Sequence, residues 1–229
     1  MIPTADAPIF RPIAERAVLV EFGIALDQAA HAAVLRLDQA LAANPCAGLC
    51  EAVPAFVNLL VEFDPLTTDH ATVTAHLCRL LTAQTTTRPA GNEREVLVCY
   101  DPALSPDLAV VAQQTGLTAE AVISAHLSGD YAVFMYGFAP GYAYLGGVPA
   151  VIQLDRKPSA VRNVAAGSVL IAGPQCLVTT LLMPTGWWII GRSPTPILTG
   201  DAVRPFLFDV GDTVCFRRIT RAEFDRASR

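Results

Sequence analysis

Tyr136-Gly137-Phe138-Ala139-Pro140-Gly141-Tyr142-Ala143-Tyr144-Leu145-Gly146-Gly147 opens the half of the chain in which helical spacing gives way to short apolar runs cut by Gly, Pro and Asp. Pro140 presets the first corner of a turn, and Gly141 supplies the positive φ that the second corner of a type II turn requires. The chain therefore reverses at this point. Phe138, Tyr142 and Tyr144 flank the reversal with broad apolar faces and two phenolic hydroxyls, suited either to a binding wall or to the filling of a core.

Downstream, the segments 132–136, 164–172, 176–182, 187–190, 206–208 and 213–219 read as short strands. Strands of this length and spacing predict a sandwich or barrel. Adjacent Trp187 and Trp188 straddle one of them, which predicts one indole facing the core and the other facing solvent or a partner. Upstream, Ser105-Pro106-Asp107 starts a helix ending at Gly116, and Thr118 caps a second helix through about Leu127, with His126 in its last turn. Thr220-x-x-Glu223 is a capping box for a short final helix.

The first part of the chain has a different rhythm. A strand over 17–22 is followed by a helix from Asp27, the expected N-cap, to Ala43, with Ala30, Val34, Leu37 and Leu41 on one face. Strands near 49–53 and 56–63 and a helix over 69–81 come next, and 93–100 completes the order βαββαβ of a ferredoxin-like unit. That last strand is equally placed to pair with the strands downstream of it. Thr82–Asn92, rich in Thr with Pro89 and Gly91, reads as a linker, so the expected domains are 1–90 and 91–229.

Composition narrows the function classes. Of 229 residues 52% are hydrophobic, enough to build cores without disulfide staples. The net charge of −5 comes with scattered basic residues, which argues against a nucleic-acid partner. No uninterrupted apolar run reaches membrane length and no leader pattern opens the chain, so a soluble, cytoplasmic protein is expected. The six cysteines lie mostly in apolar runs, as reduced buried thiols do, and Cys46-x-x-x-Cys50 lacks the further ligands of a zinc site. His70 and His76 share no ligand face of their helix.

His126, Tyr131, the 137–145 block, Val164-Ala165-Ala166-Gly167-Ser168-Val169, Gly173-Pro174-Gln175, Pro184-Thr185-Gly186-Trp187 and Ile190-Gly191-Arg192-Ser193-Pro194 together resemble the allophanate hydrolase subunit 1 family. That family includes the KipI-type kinase inhibitor and one of the subunits of bacterial 5-oxoprolinase. The resemblance runs from about Ala17 to Ile219 and implies an α+β chain: an N-terminal ferredoxin-like α/β domain followed by a cyclophilin-like β-barrel domain. It also implies a partner barrel subunit of the allophanate hydrolase subunit 2 or KipA type, and a third subunit of the LamB/YcsF type. The activity implied is ATP-dependent opening of a cyclic amide or urea-like substrate, with ATP and Mg acting at the level of the complex. Two other readings stay open. One is a KipI-like regulator that docks on a histidine kinase; the other is a carboxyltransferase subunit taking biotin in trans, since no Met-Lys-Met acceptor is present.

Either reaction needs an anionic, oxygen-rich species to be held, a task for backbone amides and cationic side chains. The expected site therefore has Phe138, Pro140, Gly141, Tyr142 and Tyr144 as an apolar wall, with Arg156, Arg162 and Arg192 meeting carboxylate or phosphate. Ser168 and Gln175 add polar contacts, and His126 moves the proton. Gly167-Ser168 also suits a plain strand entry, and Arg192 a surface ion pair. The chain departs from the family's Pro-Arg-Arg-x-x-Pro-Arg pattern, where Ala160-Val161 stand at the second Pro-Arg. It also lacks the Thr-Gly-x-Tyr-Pro that would come after Gln175, having Cys176–Thr180 instead. The family's Pro-Gly-Gly-Trp becomes Pro184-Thr185-Gly186-Trp187, and Glu15-Arg16 stand where Gly-Asp is usual.

Overall fold

The computed structural model describes residues 7–83 and 91–228; most of the expected linker, residues 84–90, lies outside them. The chain divides into two compact units, Met1–Ala90 and Gly91–Arg229.

The first unit runs β1 (Ile9–Ile13), β2 (Ala17–Glu21), α1 (Gln28–Ala43), β3 (Leu49–Ala55), β4 (Asn58–Phe63) and α2 (His70–Ala83). Its sheet is antiparallel in the order β1-β2-β4-β3. A ferredoxin-like sheet keeps its last strand beside its first; here β1, paired Ile9↔Glu21 through Ile13↔Ala17, occupies that edge. The strand at 93–98, expected as the alternative, joins the second unit. β1 gave little signal in the sequence because it is an exposed edge strand carrying Pro12, which only an edge tolerates. The helices cover one face of the sheet, burying Val34, Leu37, Leu41, Val73 and Leu77 against Val18, Val20, Leu59, Val61 and Phe63. Each such side chain stabilises the unit by roughly 1.5–3 kcal/mol relative to exposure. The expected cap is present: Asp27 accepts from the Ala30 amide at 2.7 Å.

The second unit contains β5 (Glu93–Val98), α3 (Leu108–Thr115), α4 (Ala119–Leu127), β6 (Tyr131–Tyr136), β7 (Ala143–Gly146), β8 (Val161–Val164), β9 (Ser168–Ala172), β10 (Gln175–Val178), β11 (Met183–Thr185), β12 (Trp188–Arg192), β13 (Thr213–Arg218) and α5 (Arg221–Ala227). Seven strands form one sheet in the order β12-β9-β10-β7-β6-β13-β5. An antiparallel bridge between Cys99 and Arg192 joins its two edges, with Cys99 N to Arg192 O at 2.8 Å and the reciprocal bond at 2.9 Å. The sheet therefore closes into the cyclophilin-like barrel expected from the sequence.

Period-two alternation sends Val169, Ile171, Cys176, Val178, Trp188 and Ile190 into one core with Val111, Val122 and Ile123 of α3 and α4. The intervening Leu170, Ala172, Leu177 and Ile189 form a second cluster with Val164 and Met183 of the two-stranded β8–β11 sheet, which covers the outer face. Both faces of these strands are therefore dry. Trp187 and Trp188 do face opposite sides, as the alternation requires, but both are buried, at 5% and 8% exposure. The expected exposed indole is absent because the two-stranded β8–β11 sheet covers its side, and the Trp188 indole donates to Asp155 O at 2.7 Å.

Several boundaries move for local reasons. The single strand read over 164–172 is two, β8 and β9, split by a turn at 165–167 where Gly167 takes φ +80. Residues 206–208 contribute only an isolated bridge, Leu198↔Phe206. α3 starts after Asp107 because the Ser105 hydroxyl donates back to Tyr100 O and Asp101 O, and the Asp107 carboxylate is drawn away to the Ile189 amide at 2.7 Å and to Lys157. The caps at Gly116, Thr118 and Thr220-x-x-Glu223 form as expected.

Asp212, 1% exposed, accepts from the Asn92 and Asp209 amides and from Arg94 Nε at 2.7–3.0 Å, tying β5 to the turn before β13. Replacing it by Ala strands three donors, and removing one partner of a buried charged pair costs about 3–5 kcal/mol. Asp212→Ala is expected to lower the denaturant midpoint by that equivalent, with Asp212→Asn losing less, as equilibrium unfolding in urea would record.

Candidate functional site

Strand register places the expected residues at particular ends of the barrel. Ser168 opens β9 opposite Arg192 at the close of β12, and the Pro140-Gly141 turn leads into β7 on the side where β10 ends. Thr180 confirms that proximity by donating to Pro140 O at 2.8 Å. Gln175, by contrast, pairs with Ala172 and Gly146 at the opposite end, so it does not join the others.

The reversal is built as its residues require. The Tyr142 amide reaches Ala139 O at 3.0 Å and Gly141 sits at φ +67. A Cβ on Gly141 would lie 2.8 Å from Leu198 Cδ2 and 3.1 Å from Phe206 Cδ1. Phe138 is held at φ +72, a region costly for a bulky L-residue, and is 72% exposed. From it a chain of aromatic contacts runs inward: Phe138 to Tyr142 at 5.4 Å, Tyr142 to Tyr144 at 5.5 Å, and Tyr144 to Trp187 at 5.9 Å. Arg156 stands over Trp187 at 5.7 Å, a cation–π distance. Burial raises the Tyr142 and Tyr144 phenols, so both stay protonated at neutral pH. The apolar wall is thus a ladder on the outer face of the barrel, open at Phe138. Trp187 is its fourth member, whereas the sequence points to it only as an interface candidate.

The three arginines are not gathered at one point. Arg156 is at the far end of the ladder, whereas Arg162 and Arg192 line one cleft of about 250 Å³ with Ala103, Leu104, Pro106, Asn163 and Ser168. Ser168 is buried and its hydroxyl donates to Ala165 O at 2.8 Å, which commits its proton to the 165–167 turn. Gly167 is required there, since a Cβ would come within 2.3 Å of Ser193 O. Lys157 is spent internally, paired with Asp107 and set 5.5 Å from the Trp188 ring.

The sequence offers His126 as the residue that moves the proton. It does occupy the last turn of α4, but it is 0% exposed and lies in the barrel core. Tyr100 Oη is 2.7 Å from its Nδ1, Cys176 Sγ 3.5 Å from its Nε2, and the Phe216 ring 4.5 Å from its own. Tyr131 Oη donates to its carbonyl at 3.0 Å. Desolvation lowers the imidazole pKa to about 3 and raises that of the Cys176 thiol. In this conformation the imidazole has no exposed surface, and its contacts are those of a hydrogen-bonded core residue. Among the described residues no group of three or more His, Cys, Asp or Glu is placed to hold a metal ion. No helix in them is long and apolar enough to cross a membrane.

The second unit is thus a closed cyclophilin-like barrel that carries an aromatic ladder and a cationic cleft, and the unit before it is ferredoxin-like. The chain belongs to the family described as carboxyltransferase domain, subdomain C and D, whose model matches residues 8–208. It is 31% identical over 226 residues to the 5-oxoprolinase B subunit of Bacillus subtilis (strain 168), covering 93% of each chain. Among solved structures it resembles TTHA0988, with TM-score 0.78 and 32% identity, over 90% of this chain but 40% of that one. The urea amidolyase of K. lactis shares the fold at TM-score 0.77 and 15% identity, over 99% of this chain and 16% of that one.

Two measurements check the local account. Gly141→Val combines a β-branched residue at positive φ with a 2.8 Å clash, and is expected to destabilise the barrel by about 2 kcal/mol or more; an unchanged melting temperature contradicts it. Because the folded His126 pKa lies below the ordinary value near 6.5, the unfolded chain takes up a proton that the native chain refuses. The associated stability is full above about pH 6.5 and is lost as pH falls from there toward about 3. Urea midpoints at pH 7.5 and 5.0 should therefore differ more for the wild type than for His126→Phe.

Proposed function

We propose that this chain is a subunit of an ATP-dependent amide-hydrolysing complex resembling 5-oxoprolinase, acting on a cyclic amide or urea-like compound. The observation that carries this reading is identity of 31% spread over 93% of both chains with a relative named as the B subunit of 5-oxoprolinase. The reading includes a second barrel subunit of the KipA type and a LamB/YcsF-type third subunit in the cytoplasm, with ATP and Mg used by the assembled complex.

Within it, this chain binds and orients, and its partners supply the proton transfer. Two features support that division. The aromatic ladder offers an apolar surface open at Phe138, suited to the flat face of a small ring. The chain's own imidazole beside the aromatic strand, His126, is sealed in the core. The same burial fits a KipI-like regulator, which needs no catalytic group, so the experiment must separate the two.

That experiment is ATP hydrolysis by the chain co-purified with its barrel partner, with and without 5-oxoproline and a panel of lactams and ureas. Substrate-stimulated hydrolysis is the expected result. A stable complex that hydrolyses no ATP with any compound, while this chain binds a histidine kinase dimerisation domain, would replace the reading with the regulatory one.

A further inference from the structure

We infer that the cleft between β8, β12 and the 103–106 loop is an oxyanion subsite, in which Arg162 and Arg192 grip one carboxylate or one phosphate group. This deepens the proposed function and rests on it for the identity of the ligand, but the binding step belongs to this chain alone.

Ion pairing and position together set these two arginines apart. Most arginines of the barrel unit have a carboxylate within 4.0 Å: Arg94 pairs with Asp212 and Asp209, Arg204 with Asp209, Arg217 with Glu95, Arg218 with Glu120, and Arg221 with Asp101 and Asp225. Arg156, Arg162, Arg192 and Arg226 have none among the described residues, and of these four Arg162 and Arg192 line the same cleft. Asp107, next to the cleft's Pro106, is neutralised by Lys157 and by the Ile189 amide. No carboxylate lines the cleft. Two guanidinium groups sharing such a space repel one another unless an anion lies between them.

The backbone places both. Between Val161 and Val164, β8 has two residues opposite the single Pro184 of β11, a bulge at Arg162-Asn163, with Asn163 at φ +57. β12 has an extra residue, Ile190, between the pairs Ile189↔Leu170 and Gly191↔Val169, two residues before Arg192. Each bulge shifts the side-chain phase of its strand. Bulges of this kind re-aim side chains near functional sites, and here two unrelated strands each carry one beside an unpaired arginine. Arg192 is further fixed by its Nε, which donates to Ala166 O at 3.2 Å. Its terminal nitrogens remain for a ligand, while Arg162, exposed at the rim, approaches from the other strand.

Calorimetric titration of the full chain tests this, with three probes: inorganic phosphate, 5-oxoproline, and pyrrolidin-2-one, the same ring without its carboxylate. Saturable binding of phosphate marks a phosphate subsite. Saturable binding of 5-oxoproline but not of pyrrolidin-2-one marks a carboxylate subsite. Arg162→Gln and Arg192→Gln should each weaken the bound probe by about tenfold or more, the usual scale for one charge-assisted contact. Arg217→Gln, outside the cleft, should not. Absence of saturable binding by either anion, or equal affinity in the wild type and in the exposed-site variant Arg162→Gln, overturns the inference. Anion binding by the chain together with a complex that never turns over ATP would retain the subsite and remove the proposed function; turnover without anion binding by this chain would do the reverse.

Discussion

The barrel unit depends on the two hydrogen bonds that join Cys99 to Arg192. A seven-stranded sheet left open would expose β5 and β12 as unpaired edges, a template for association with other chains. Closure at these residues removes that exposure where the strands approach, and it needs Gly191, because a Cβ there would lie 2.8 Å from Val98 Cγ1 and 3.2 Å from Cys99 O. The same backbone that closes the barrel presents the Arg192 side chain to the cleft. Fold and site are therefore coupled at one residue.

The rest of the unit is a consequence of that closure. With one face of the strands enclosed and the other covered by the two-stranded β8–β11 sheet, residues of both parities along β9, β10 and β12 are apolar and buried. Polar groups in such a core must find partners. The Tyr100, His126 and Cys176 side chains do so with one another, which holds the neutral imidazole within the core. Ligand-facing chemistry is left to the rim, where bulges and tight turns interrupt the regular pattern.

Much of this architecture was legible in the residues. Asp27, Gly116, Thr118 and the Thr220–Glu223 box cap their helices as their chemistry dictates. The Pro140-Gly141 reversal and the barrel's short strands were readable from turn chemistry and alternation. The features that were not legible depend on contacts between distant residues. β1 is an exposed edge with a proline, so its strand character comes from pairing with β2 alone. His126 looked available because it ends a helix, and only the approach of Tyr100, Cys176 and Phe216 buries it. The split of the three arginines arises from bulges, which exist only relative to a partner strand and leave no local mark except the positive φ tolerated by Asn163.

The central claim is that the sheet closes through Cys99 and Arg192 and so fixes the cleft. Native-state hydrogen exchange of those two backbone amides tests it most directly. Closure predicts protection comparable to the amides of Ile171 and Leu177 in the interior of the same sheet. Exchange of both amides at the rate of a frayed, unpaired edge, with Ile171 and Leu177 still protected, would contradict it.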